Sequence, residues 1–111
     1  MPGVIEIDGS KVADWESFHD VFANGLGFPK FYGRNSDAWI DCMTYLDDPE
    51  AGMSKIHAPK NGVLALQILN ARAFEKKCPE IWKALQEMAA FVNWRRIETG
   101  DSPVLALSYN G

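Results

Sequence analysis

The sequence has few of the features on which secreted and membrane proteins depend. Among its 111 residues only two are cysteines, Cys42 and Cys78, which is too few for a disulfide framework. No apolar run approaches the roughly 20 residues that a membrane-spanning helix needs. The first residues, MPGVIEIDGSK, lack the basic start and apolar stretch of a signal peptide. We therefore expect a cytoplasmic protein whose two thiols are reduced and packed as small apolar groups.

Histidine and basic residues are also few, which argues against metal binding and nucleic-acid binding. His19 and His57 lie far in sequence from both cysteines, so no spacing typical of a zinc site is present. With 15 acidic and 11 basic residues, the formal net charge is −4. Because acidic surfaces repel phosphate groups, we expect neither DNA nor RNA as a partner. We also expect no metal and no cofactor, and we interpret His19 as a structural histidine beside Phe18.

The acidic residues are concentrated in the first half of the chain. Residues 1–50 contain ten acidic and three basic residues, a net charge of −7, whereas residues 51–111 contain five acidic and eight basic residues, a net charge of +3. Such a half attracts basic partners. Neither a Gly-rich phosphate loop after a strand nor a Gly-x-Ser-x-Gly nucleophile elbow occurs. The charge pattern therefore favours binding to a basic protein. The absence of the two motifs argues against nucleotide binding and acyl-transfer chemistry.

The pattern of apolar residues predicts a single α/β domain over residues 1–111. Apolar runs predict three strands, at 4–7, 63–68 and 104–107. The run at 63–68 is continuous, as is typical of a buried parallel strand. The predicted order β-α-α-β-α-α-β corresponds to a small three-stranded parallel sheet packed with about four helices. Helical periodicity and end signals place the helices as follows: from an Asp14 N-cap to Asn24-Gly25, from about Asn35 to Leu46, over 71–77, and from Pro79 to Gly100.

The second predicted helix has an apolar face and an acidic face. Trp39, Cys42, Met43 and Leu46 recur at helical spacing and mark the core side. Asp37 and Asp41 lie four residues apart on another face. The helix dipole explains Asp37 near the N-terminus, and Arg34 is a candidate ion-pair partner for it. Neither explains Asp41, for which we expect an exposed carboxylate without an internal cationic partner.

One segment resembles a known family. The stretch FPKFYGRNSDAWIDCMTYLDD, residues 28–48, is similar to the signature of the barstar family, intracellular inhibitors of barnase-type bacterial ribonucleases. The shared pattern is an aromatic pair, a glycine, an asparagine, and then Asp-Ala and Asp-Cys in one helix. IDGSKVADWESFH at 7–19 is similar to the family's first strand and helix, and VLALS at 104–108 to its last strand.

The resemblance implies a mechanism of inhibition and a set of contact residues. Carboxylates would enter the basic active site of a ribonuclease in place of phosphate oxygens. By position in the motif, Asp41 is the central anion and Asp37 a second contact at the rim. The other contact positions carried over from the motif are Phe31, Gly33, Asn35, Ala38, Ile40, Thr44 and Leu46.

Several of these positions depart from the family's prototype. Ile40 and Leu46 stand where the prototype has aromatic residues, and Phe31 stands where it has tyrosine. Two glutamates of its last helix correspond here to Arg95 and Thr99, with Glu98 a candidate to compensate for one of them. The loop at 47–62 is also longer. These differences indicate either a different cognate nuclease or a barstar-fold protein whose partner is not barnase.

The leading interpretation is therefore a non-enzymatic inhibitor, most simply an immunity protein that protects a bacterium from a ribonuclease toxin. One alternative is a barstar-fold module that binds an unrelated basic protein. The other is a small hydrolase that uses Asp37 and Asp41 as an acid/base pair.

Overall fold

A computed structural model describes residues 3–59 and 61–111. Residues 1 and 2 of the start, and residue 60 of the predicted 47–62 loop, lie outside the described residues. Within the described part, three strands and four α-helices follow one another in the predicted order. The strands are β1 (Val4–Asp8), β2 (Leu64–Leu69) and β3 (Leu105–Asn110). The helices are α1 (Trp15–Leu26), α2 (Ser36–Thr44), α3 (Ala71–Lys77) and α4 (Pro79–Glu98).

The sheet confirms the predicted fold class. Its strand order is β1-β2-β3, and both pairings are parallel. Ile7 pairs with Ile68, and Leu66 pairs with Leu107. Along β2 the residues alternate between buried and half-buried, so one face of the sheet is covered less completely than the continuous apolar run suggested.

Helix α1 begins as predicted but ends two residues later. The Asp14 carboxylate accepts a hydrogen bond of 2.8 Å from the Ser17 backbone N–H, which completes a capping box. The helix continues through Asn24-Gly25 because Leu26 extends the apolar stripe and is completely buried. Gly27 then ends the helix in the left-handed conformation, with φ of 67°. The predicted stop at Asn24-Gly25 was therefore wrong.

Aromatic packing in the core sets the rotation of α2. The Trp39 ring lies 5.5 Å from the ring of Phe22 and is completely buried. Cys42 and Met43 are buried on the same side, as their spacing predicted. Because Trp39, Cys42 and Met43 all anchor this short helix inward, the opposite face must point away from the core.

The segment between α2 and β2 is irregular apart from a 3-10 turn at Pro49–Ala51. One backbone hydrogen bond attaches it to the last residue of α1, and another joins it to Leu46, two residues after α2. The Leu26 carbonyl accepts from the Lys55 N–H at 2.8 Å, and the Leu46 carbonyl accepts from the Ala58 N–H at 2.9 Å. The loop therefore closes over the C-terminal ends of α1 and α2.

Helix α4 is the longest helix, and it packs on α2. It begins at Pro79, as predicted, and Gly100 follows its end with φ of 89°. Across residues 3–59 and 61–111, no helix combines the length and apolar character needed to cross a bilayer.

Candidate protein-binding site

The loop before α2 is held by two aromatic side chains and presents a third. Phe28 is buried and packs against the Tyr32 ring at a tilt of 55°, with the centroids 4.8 Å apart. The Tyr32 hydroxyl lies 2.6 Å from His19 Nδ1, which confirms that His19 is a buried histidine with a hydrogen-bond partner. Phe31, between these anchors, is 75% exposed. The loop thus fixes a large apolar ring in contact with solvent.

Burial sets the ionisation of this anchor. Desolvation lowers the pKa of His19, and the nearby Arg34 charge lowers it further. Desolvation likewise raises the pKa of Tyr32 well above its usual value. Both groups are therefore neutral near pH 7, and their hydrogen bond joins two uncharged side chains.

Arg34 does not pair with Asp37, contrary to the interpretation from sequence. Its guanidinium donates 2.9 Å to the Asp20 carboxylate and 3.0 Å to the Glu16 backbone carbonyl. Arg34 has a positive φ of 55°, so the chain turns sharply there and directs the side chain back towards α1. As a result Arg34 fastens the loop to α1, and Asp37 stands exposed at the first turn of α2 without it.

The N-terminus of α2 is fixed by Asn35. Its side-chain oxygen accepts a 2.8 Å hydrogen bond from the Ala38 N–H, which makes Asn35 the N-cap. This cap sets the register that places Asp37 and Asp41 one turn apart on the outer face. Asn35 is exposed, so its capping role does not prevent contact with a partner.

A shallow cleft of about 200 Å³ lies at the centre of this face. It brings together four of the predicted contact residues, Phe31, Gly33, Ala38 and Asp41. The other lining residues are Tyr32, Cys42 and Met53. The sequence did not predict Met53, because it belongs to the 47–62 loop and reaches the cleft only through the fold.

Asp41 has an internal cationic partner, which corrects the expectation that it stands alone. Arg95 of α4 donates a 3.1 Å hydrogen bond to Asp41 Oδ1. The two side chains remain 37% and 50% exposed, respectively. Within the described residues, Asp41 Oδ2 accepts no hydrogen bond. The carboxylate is therefore steadied by Arg95 while one of its oxygens stays free for a partner.

Two of the predicted contact residues face inward. Leu46 is completely buried, because it continues the stripe of Trp39 and Met43, so its assignment as a contact was wrong. Thr44 is 9% exposed, and its hydroxyl donates 2.6 Å to the Ile40 carbonyl. Ile40 is half-buried against the core. The surface that a partner can reach therefore centres on the first two turns of α2 and the loop before it.

A buried arginine, which the sequence analysis missed, holds the other end of α2. Arg96 is 6% exposed, and its guanidinium donates 3.0 and 2.7 Å to the two Asp47 oxygens. It also donates 2.7 Å to the Thr44 carbonyl and 2.8 Å to the Ser102 carbonyl. Hydrogen bonds from Arg96 lower the pKa of Asp47. We call this arrangement the Arg96 clamp.

The clamp was detectable in principle. Arg96 lies four residues after Val92 and seven after Ala89, on the buried stripe of α4. A charged residue on such a stripe requires an opposite charge and carbonyl acceptors. Asp47, just after α2, was the available acid.

The face shows few groups suited to covalent or metal chemistry. Burial raises the pKa of the Cys42 thiol to about 11, and the Asp41 charge adds to the rise, so the thiol stays protonated near pH 7. In the part of the chain that the structure describes, no three His, Cys, Asp or Glu side chains converge as metal ligands. What the face offers is an exposed ring, two carboxylates and an arginine.

Comparison with known proteins shows the family to which the chain belongs. The "Putative ribonuclease inhibitor YrdF" of Bacillus subtilis (strain 168) is 48% identical over 40 residues, which cover 36% of this chain. The match spans 44% of that relative, less than half of its length. Residues 3–104 match the family described as "Barstar (barnase inhibitor)". This match includes both strands β1 and β2, all four helices and the acidic face, and the chain therefore belongs to the barstar family.

Proposed function

We propose that this protein inhibits a barnase-type ribonuclease by placing the α2 face over the basic active site of the enzyme. The observation that carries the proposal is the outward Asp37–Asp41 pair beside the exposed Phe31 ring. Membership of the barstar family supports it, as does the printed name of the Bacillus subtilis relative.

The chemistry of ribonucleases explains why such a face would inhibit them. An enzyme that cleaves RNA holds phosphate groups with cationic side chains, and a carboxylate presents oxygens to the same donors. Asp41 is half-exposed with one oxygen free of hydrogen bonds in the described structure. Asp37 extends the negative charge by one turn of helix. The pair can therefore occupy positions that phosphates of RNA would otherwise take.

The neighbouring residues would supply contact area around the charges. Phe31 projects from a loop fixed by Phe28 and Tyr32, so little backbone freedom is lost when its ring is covered. Gly33 and Asn35 are exposed, and Ala38 lines the cleft. We propose these residues, with Asp37 and Asp41, as the contact surface, and Ile40 as a peripheral contact.

The distribution of charge would favour rapid capture. Residues 1–50 carry a net charge of −7, and a basic enzyme is attracted to such a surface over about 10 Å at moderate salt. Rapid capture suits an immunity protein, because a toxic ribonuclease must be neutralised before it cleaves cellular RNA. We accordingly propose that the protein acts in the cytoplasm of the bacterium and protects it from such a toxin.

The test is an RNA-cleavage assay with barnase as the target enzyme. We expect the parent protein to slow cleavage as its concentration rises, Asp37→Ala to inhibit less well, and Asp41→Ala to inhibit least. Glu75→Ala is the matched control, since it removes one exposed acid from α3 and changes the net charge equally. If parent and variants all leave barnase fully active, the proposed function fails for this enzyme. Phosphate-ester hydrolysis by the chain alone would instead favour the hydrolase alternative.

A further inference from the structure

The candidate binding face carries a positive charge next to its central anion. Arg95 lies on α4, and its guanidinium is 3.1 Å from Asp41 Oδ1. The side chain is 37% exposed, so it belongs to the surface that a docked protein would cover. The face is therefore a mixed pair of charges and not a purely acidic patch.

Arg95 cannot be neutralised and cannot easily leave. A guanidinium stays charged at any physiological pH and has five N–H donors, of which the described contacts use one. The next residue, Arg96, is buried in the clamp that joins α4 to the end of α2. The backbone of Arg95 is thereby held at a fixed distance from α2, and only its side chain can move.

The fold gains little from the Arg95–Asp41 contact. Ion pairs with half-exposed side chains contribute little to stability, because water screens both charges. The electrostatic effect of the Arg95 charge becomes larger when a partner covers the contact. Repulsion between like charges grows as water is excluded, so a partner cation that meets Asp41 would also be close to Arg95.

We propose that Arg95 is a specificity-determining residue of the inhibitory face. It disfavours enzyme clefts that are cationic throughout, because the cation that meets Asp41 would also lie close to the Arg95 guanidinium. The inference rests on the proposed function and adds to it the charge pattern of the partner.

The test uses barnase as the probe and measures the inhibition constant in RNA cleavage. A cleft that binds successive phosphates of RNA places several cations side by side, so Arg95 should oppose binding there. We expect Arg95→Ala and Arg95→Gln to inhibit barnase about tenfold more tightly than the parent, equivalent to about 1.4 kcal/mol. Arg95→Glu should gain more, because it replaces repulsion with attraction.

Charge-matched controls separate this local effect from the change in net charge. Arg72 is exposed on α3, outside the α2–α4 pair. Arg72→Ala and Arg72→Glu make the same changes in net charge, and we expect them to leave the inhibition constant near that of the parent. Thermal unfolding of each variant confirms that the fold is retained, and Arg95→Gln keeps most of the side chain if Arg95→Glu is unstable.

The outcomes distinguish this inference from the proposed function. If Asp41→Ala loses inhibition while the Arg95 variants match the parent or inhibit less well, the inference about Arg95 is wrong and the proposed function stands. Equal gains from the Arg72 and Arg95 variants would also overturn it, since net charge alone would explain them. If no protein in the series inhibits barnase, Arg95→Glu included, both proposals fail for this enzyme.

Discussion

The Arg96 clamp provides a strong test of how the acidic face is held in place. Its guanidinium binds the Asp47 carboxylate through two donors and also binds the carbonyls of Thr44 and Ser102. Asp47→Ala removes the counter-charge and leaves a cation that is 6% exposed. The segment just after α2 then loses its ion pair with α4, whereas the Thr44 carbonyl at the end of α2 keeps its hydrogen bond from Arg96.

The cost of Asp47→Ala follows from the burial of the two partners. Removing one member of a buried ion pair costs about 3–5 kcal/mol, because the other charge is left without compensation. The Asp47 side chain is 38% exposed, so water moderates the loss. We expect the free energy of unfolding to fall by about 2 kcal/mol, which corresponds to a drop in Tm of roughly 10 °C.

Thermal and urea unfolding, followed by circular dichroism, measure this cost. Asp48→Ala is the matched control, because Asp48 is the exposed adjacent acid and forms no ion pair among the described residues. If Asp47→Ala and Asp48→Ala unfold within about 0.5 kcal/mol of each other, the clamp does not stabilise the fold and the reasoning is refuted.

The clamp also predicts how stability depends on pH. Hydrogen bonds from Arg96, opposed by burial and aided by its charge, lower the pKa of Asp47 in the folded state. At low pH the unfolded chain therefore binds this proton more readily than the folded chain does. The contribution is present above the unfolded pKa, near 4, and disappears as pH falls through the lower folded pKa. Asp47→Ala should lack this component of acid destabilisation, whereas Asp48→Ala should retain it.

Two further predictions concern buried groups behind the site. Cys42 is 1% exposed with a raised pKa, so at pH 7 a thiol reagent should label it far more slowly in the native protein than in urea; rapid native labelling would show that the rotation of α2 is wrong. Tyr32→Phe leaves His19 Nδ1 without its partner and should cost about 1–2 kcal/mol, whereas Tyr45→Phe, at an exposed tyrosine, should cost little. Burial lowers the pKa of His19 in the folded state, so the unfolded state gains the proton first as pH falls. The stability that neutral His19 contributes should therefore decline below about pH 6.5. A His19→Gln variant with the same pH dependence of stability as the parent would contradict this.

The sequence allowed the fold to be predicted because each element carried a local signal. Apolar runs marked the strands, and Asp14, Asn35 and Pro79 marked helix starts. The end of α1 was misplaced because Gly25 and Gly27 are both suitable helix stops. Only packing decides between them, through the burial of Leu26.

The candidate site was less predictable because it depends on contacts between distant residues. The spacing of Asp37 and Asp41 placed them on one face, and the buried Cys42 agrees with that register. Arg95 lies 54 residues from Asp41 in sequence, so helical periodicity in α2 could not reveal their ion pair. Leu46 was assigned to the contact surface by analogy with a family position, although its own spacing indicated the core.

The measurement that tests the central claim most directly is the affinity of Asp41→Ala for barnase, compared by calorimetry with the parent and with Glu75→Ala. Asp41→Ala should unfold within about 1 kcal/mol of the parent, since it removes only a half-exposed ion pair. In the complex, however, the same change would leave a buried enzyme cation without its partner. We therefore predict an affinity loss of about 30-fold or more, equivalent to about 2 kcal/mol, with Glu75→Ala close to the parent. Equal affinities of the parent and Asp41→Ala would contradict the account.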